Sequence, residues 1–163
     1  PRIDAFWTVW KVLYPSVRDT SFRYHNQLIK TYLFSSAFSS TSKAWHSLRE
    51  CDLWIFSDIS NECGDSPSVL YSISRSLNYW ASKYVPQGIE WLYTIINKYP
   101  KLDLRDDETN TIFYLERILN TYVLENKMSI RQTPDLKKKI MAILTFMAER
   151  NSTQAYMLRE QIA

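Results

Sequence analysis

The chain has 163 residues, of which 45% are hydrophobic, 15% aromatic and 23% charged, a balance that suits one compact domain around a single core and excludes a disordered tail. Only two glycines occur, Gly64 and Gly88, so these residues hold no glycine-rich phosphate loop, dinucleotide fingerprint or Walker A sequence. The net charge of +3 originates in the first thirty residues, where five Lys and Arg face two acids; from position 31 onward the signs balance at fifteen each, too weak a field to mark a nucleic-acid or anionic-membrane surface.

Apolar residues recur at spacings of three and four almost throughout, and long strict alternation is missing, so the expected fold class is all-α. Phe6, Val9, Trp10, Leu13 and Val17 form a first stripe, ended or kinked by Pro15. Asp19 caps a second helix carrying Phe22, Ile29, Tyr32 and Leu33 inward, which fades into the serine-rich turn 35–42. A third is expected over about 41–62, with Trp45, Leu48, Leu53, Phe56 and Ile59 inward and Gly64 as a left-handed C-terminal cap.

Ser66 and Pro67 predict the next start through an N-cap oxygen and a proline at the first helical position, with Leu70, Ile73, Leu77 and Trp80 buried before about Lys83. Pro86 opens a helix that buries Ile89, Leu92, Ile95 and Ile96 and stops at Pro100. After the charged connector 101–107, a helix over 108–125 turns Ile112, Leu115, Ile118, Leu119 and Tyr122 to one face. Thr133 and Pro134 repeat the cap-and-proline start for Leu136, Ile140, Ile143, Leu144 and Met147, and a short helix from Ser152 carries Ala155, Leu158 and Ile162. About eight helices with short connections predict antiparallel pairs in a HEAT- or TPR-like solenoid fragment, with a globular helical bundle as the alternative.

Chemistry-bearing clusters are sparse. Cys51 and Cys63 stand twelve apart in one expected helix, roughly 18 Å by helical rise and beyond disulfide reach, so reduced thiols of an intracellular, cytoplasmic protein are expected. His46 and Glu50 share a helix face, and Asp58 and Glu62 repeat that spacing, but two ligands make no metal site and nothing supplies the rest. The serines suit caps, turns and helix surface, and Asp106, Asp107 and Glu108 suit a helix N-terminus, so no catalytic, cofactor or metal residue is assigned and no enzyme activity is expected. Lys137, Lys138 and Lys139 spread over about 200° of a helix and make no flat patch, so nucleic acid is not the expected partner. No apolar run is long enough for a transmembrane helix, and the opening at Pro1, without Met or a signal sequence, is expected of a domain excised from a longer protein.

The aromatics are unevenly placed: nineteen of twenty-four precede position 100, including all six tryptophans. Trp7 and Trp54, with Tyr71, Tyr79 and Tyr93, point away from their stripe centres, and exposed Trp and Tyr supply interface hot spots. Trp7, Trp54, Tyr71 and Tyr93 are therefore the candidate partner-binding residues, facing either a foreign protein or neighbouring parts of the parent chain.

Two terminal segments resemble a known family. The opening Phe6-Trp7-Thr8-Val9-Trp10-Lys11-Val12-Leu13, with Pro15, looks like the Phe-Trp-x-x-Trp-x-x-Leu start of helical units in the C-terminal regions of large bacterial STAND-type, NACHT-like NTPases. The ending, Asn151-Ser152 followed by Ala155-Tyr156-Met157-Leu158-Arg159-Glu160, is similar to their closing Gly-Ser turn and Ala-Tyr-x-Leu-Arg-Glu, with Asn151 in place of the glycine. The resemblance implies a helical-repeat sensor that binds a phage protein and controls an NTPase and an effector located elsewhere in the parent protein. A structural repeat that holds a larger assembly together is the alternative.

Overall fold

The computed structural model describes residues 53–80, 83–104 and 108–163, together with Thr8, Lys30, Thr31 and Phe34. Six helices fall in this part: α1 (Trp54–Glu62), α2 (Pro67–Tyr79), α3 (Val85–Lys98), α4 (Glu108–Gln132), α5 (Pro134–Ala148) and α6 (Thr153–Ile162). No strand occurs among the described residues, so the expected all-α class holds there. The first two expected helices lie outside the described residues apart from the four single positions, as does 41–52; α1 opens at Trp54 with Leu53 at its N-cap.

Each helix packs on its successor or on the helix after that. α1, α3 and α5 lie side by side in one layer, α2, α4 and α6 in the other, and α2 also packs on both α1 and α3. Register is set by polar contacts along the layers. The Trp91 indole N–H donates to Ser57 Oγ at 3.1 Å and Lys98 Nζ to the Asn61 carbonyl at 3.2 Å, so α1 and α3 run in the same direction. Ser152 Oγ donates to Glu116 at 2.6 Å and Gln154 Nε2 to Asn120 at 2.7 Å, so α4 and α6 do too.

Helix starts follow the prolines more than the caps. Pro67 and Pro134 preset the first turn of α2 and α5, but neither Ser66 nor Thr133 donates or accepts a side-chain capping bond; the Ser66 hydroxyl meets Ser68 Oγ instead. Ser152 is a true cap, its Oγ accepting from the Ala155 N–H at 3.1 Å. Just before it, Asn151 has φ 64°, with the Ser152 N–H bonded to the Met147 carbonyl and the Asn151 N–H to that of Ala148, the paired bonds of a Schellman turn. Gly64, expected in that role at the end of α1, has no positive φ. It is small for a different reason: a Cβ there would lie 2.6 Å from the Ser60 carbonyl oxygen and 3.0 Å from Ile95 Cγ1, where α1 ends against α3.

α4 ends its regular first part where the sequence pattern ends it. Asn126 leaves helical geometry at φ −118°, ψ 17°, and its side-chain amide donates to the Tyr122 carbonyl at 2.9 Å, so the axis breaks there before continuing to Gln132.

The core runs between the layers. Leu70, Ile73, Leu92, Ile95, Leu115, Ile118, Ile140 and Leu144 are all buried, as their stripes predict; Trp45 and Leu48 lie outside the described residues. The charged connector after α3 is apolar on alternate residues, with Leu102 and Leu104 buried, and the Arg150 guanidinium holds it by donating to the Leu102 carbonyl at 2.8 Å while lying 3.6 Å from the Phe146 ring centroid. Leu115 is completely enclosed midway along α4, so Leu115→Ala is expected to lower unfolding free energy by about 2–5 kcal/mol in urea denaturation. A loss below about 0.5 kcal/mol would place that side chain on the surface.

Candidate functional site

Three groups of chemistry-bearing side chains stand out, and the first is structural in character. Lys30 Nζ lies 2.9 Å from Asp58 Oδ2 with its own side chain at 0% exposure. A charge so enclosed persists only with a counter-charge, so Asp58, expected on a polar face beside Glu62, is committed to Lys30. His46 and Glu50, its companions in the metal pattern, lie outside the described residues, and no three His, Cys, Asp or Glu side chains converge among the described ones. One turn beyond, Cys63 is buried, and that burial raises its thiol from 9.0 to about 11, opposed by a hydrogen bond from Thr31 and the charge of Lys30. At neutral pH it is a thiol and a poor nucleophile.

A second cluster is aromatic. Phe56 is its centre: Phe34 and Trp80 meet it edge-on at 5.1 and 5.3 Å, and Trp91 stacks on it at 4.8 Å. Trp80 passes the contact on to Tyr84. All of these rings except Trp80 are buried, so this cluster is core.

The third group is the solvent face of the α2, α4 and α6 layer. Seven large apolar residues are exposed among the described ones, and six of them belong to these helices: Tyr79, Phe113, Leu124, Met128, Tyr156 and Met157. The seventh is Trp54 on α1. Tyr71 of α2 meets Tyr114 of α4 at 5.9 Å, Phe113 abuts Tyr114, and the Arg117 guanidinium lies 5.6 Å from the Phe113 centroid. Further along the same two helices is a cavity of about 200 Å³. Leu77, Val85 and Ile118 form its buried floor, Asn78 and Tyr122 are half-buried in its walls, and Arg117, Thr121 and Glu125, four apart on α4, are exposed at its mouth. Burial raises the Tyr122 hydroxyl above the ordinary tyrosine value, so it is neutral at physiological pH.

The residues expected to bind a partner are dispersed. Trp54 is 40% exposed at the start of α1, Tyr71 is half-buried on α2 and Tyr93 half-buried on α3, while Trp7 lies outside the described residues. Of these, Tyr71 belongs to the α2–α4 face. Phe113, Leu124, Met128 and Met157 were missed, because their exposure depends on which side of α4 and α6 lacks a neighbour. The lysine run is divided as its helical spread predicts: Lys139 pairs with Glu90 at 2.7 Å and with Asp135, Lys137 donates to the Ala163 carbonyl, and Lys138 is exposed. No family model matches the chain, and no curated protein matches it.

Two outcomes test the buried groups. Asp58→Ala removes a counter-charge from the enclosed Lys30 and is expected to cost about 3–5 kcal/mol, whereas Lys30→Met with Asp58→Leu is expected to recover most of that loss in the same denaturation assay. Equal losses for both variants would deny the pair its mutual dependence. For Cys63, the folded chain holds its proton more tightly than the unfolded one, so its contribution is constant below pH 9.0 and is lost as pH rises toward about 11. Alkylation mapped to Cys63 should therefore be slow at pH 8 and become fast only when the chain unfolds.

Proposed function

We propose that this domain is a protein-recognition module of stacked helical pairs, the C-terminal sensor part of a bacterial STAND-type NTPase, which binds a phage protein and controls activation of the NTPase and its effector. The observation that carries recognition is the uneven exposure: among the described residues, six of the seven large apolar side chains in solvent sit on α2, α4 and α6. A layer that gathers most of the exposed apolar side chains is the kind of surface that protein partners cover. Stacking as repeat units is supported by the side-by-side pairing of α1 with α3, α3 with α5, α2 with α4 and α4 with α6.

The assignment to this family rests on the terminal resemblances. The closing one is supported by Asn151 at φ 64° where the family has glycine, by the Ser152 cap, and by the burial of Ala155 and Leu158 within the Ala-Tyr-x-Leu-Arg-Glu-like segment. In this reading catalysis lies in other parts of a longer cytoplasmic protein, and no cofactor or metal is required here. Membrane insertion is not part of it, and none of the described helices is long and apolar enough to cross a membrane. A structural repeat that packs against its own parent chain is the second reading, favoured by Tyr71 and Tyr93, which are already half covered.

The test is made in the full-length parent protein under phage challenge. Phe113→Ala, Met128→Ala and Met157→Ala are expected to weaken target binding by about 2 kcal/mol for a central anchor, about 30-fold, and to abolish protection, while the melting temperature moves by about 2 °C or less. Protection unchanged in all three, or a complete reading frame without a Gly-x-x-x-x-Gly-Lys-Ser/Thr sequence upstream, would overturn the proposal. Destabilisation of the full-length protein by the same changes would favour the scaffold.

A further inference from the structure

The thioether sulfurs of the chain divide sharply by access. All four methionines lie among the described residues. Met128 on α4 is 65% exposed and Met157 on α6 is 52% exposed, whereas Met147 is fully buried on α5 and Met141 is half-buried against the core. Access decides which thioether a dissolved oxidant reaches, because the sulfur reacts through a lone pair and needs no deprotonation. Cys63 does not compete at neutral pH: it is buried, and burial raises its thiol to about 11, so the reactive thiolate is scarce.

The two exposed methionines share one part of the surface. α4 and α6 run in the same direction, with Gln154 bonded to Asn120, so three residues further along each helix Met157 comes level with Val123. Val123 is buried, and its neighbour Leu124 is exposed. Met128 follows about one turn later on α4, beyond the break at Asn126, and is exposed again. Leu124, Met128 and Met157 thus form an apolar strip across the outer side of the two helices, and two of its three members carry sulfur.

We propose that Met128 and Met157 form a reversible oxidation site, at which a hydroperoxide converts both thioethers to sulfoxides and turns this part of the α4 and α6 face from apolar to polar. In each conversion the sulfur attacks a peroxide oxygen, an S–O bond forms as the O–O bond breaks, and the two electrons lost by sulfur reduce the peroxide, which leaves as water or an alcohol. Sulfoxide reductases with a dithiol reverse the step, forming the thioether, a disulfide and water. A partner that covers a sulfoxide must give it a hydrogen-bond donor or leave a polar oxygen unsatisfied, so oxidation opposes binding on this face. That consequence rests on the protein-recognition reading, and the selectivity of the oxidation does not.

The experiment treats the purified chain with hydrogen peroxide at neutral pH, follows each methionine by peptide mass spectrometry and monitors the fold by circular dichroism. Met128 and Met157 are expected to gain oxygen at least about tenfold faster than Met147. The doubly oxidised chain should stay helical, with a melting temperature within about 2 °C of the untreated one, because the added oxygens face solvent. It should also elute earlier from a phenyl hydrophobic-interaction column and return to its first position after treatment with both stereospecific reductases and a dithiol. Met128→Leu with Met157→Leu keeps the strip apolar and should elute at the same position before and after peroxide. Oxidation of Met147 at the rate of the exposed pair while the helical spectrum persists, survival of either exposed thioether, unchanged elution of the doubly oxidised chain, or an equal change in the leucine variant would each overturn the proposal. If oxidation is selective while the alanine variants of the surface protect normally, the oxidation site stands and the sensor reading falls; if selectivity fails while those variants abolish protection, the oxidation site falls alone.

Discussion

The described stack depends on how closely three helices approach α2. A helix that packs on α1, α3 and α4 together needs more than one narrow apolar stripe, and α2 obtains the additional contact from small residues instead of large ones. Ser72, Ser74 and Ser76 are buried beside Val69, Leu70, Ile73 and Leu77. The hydroxyls of Ser74 and Ser76 donate to the carbonyls of Leu70 and Ser72 one turn back, so these polar groups are satisfied inside their own helix and demand nothing from the neighbours. On the α3 side the same economy of volume is met by Gly88. A Cβ there would lie 2.4 Å from both terminal carbons of Leu77, inside the distance that real side chains tolerate. The cavity against α4 is bounded by that same Leu77, so the fit of α2 to α3 also sets one wall of the candidate site.

This arrangement explains which features were legible in the sequence. Ile73, Leu92, Leu115 and Ile140 repeat at helical spacing and each faces the interlayer core, because periodicity reports the most strongly buried side of a helix. Proline starts were legible at Pro67 and Pro134 for a local reason, since the fixed φ and missing N–H act within one turn. The second buried side of a central helix was not legible. Ser74 at 0% exposure has the composition of a surface residue, and only a neighbour distant in sequence makes it interior. Lys30 is the extreme case, since nothing in its local pattern announces the carboxylate at position 58 that permits its burial. Gly64 was assigned to a left-handed turn because glycine commonly serves there, whereas the constraint is the Ser60 carbonyl and the side chain of Ile95, which no local pattern specifies.

The candidate face was half legible for the same reason. Tyr71 departs from its stripe and does meet Tyr114 on that face. Trp91, on the other layer, stands beside an apolar stripe and is buried by stacking on Phe56. Phe113, Leu124 and Met128 lie on the opposite side of α4 from Leu115 and Leu119 and belong to a helix with an otherwise ordinary stripe. Their exposure is a property of the layer, whose outer side has no further helix among the described residues.

That distribution also separates the surface from the core energetically. Fully burying a side chain such as Leu, Met or Phe is worth roughly 1.5–3 kcal/mol, and the α2, α4 and α6 layer leaves several of them about half exposed. The polar groups where α6 begins against α4 do not share that state: Ser152 is bonded to Glu116 and Gln154 to Asn120, so that part of the seam is hydrogen-bonded. A face of this kind gains little by rearranging to hide its own apolar groups, because doing so would break satisfied bonds in a closely packed seam. It gains by being covered from outside. On α4 such cover would reach furthest inward at the cavity against α2, where Ile118 lies in the floor and Arg117 and Glu125 are exposed at the mouth.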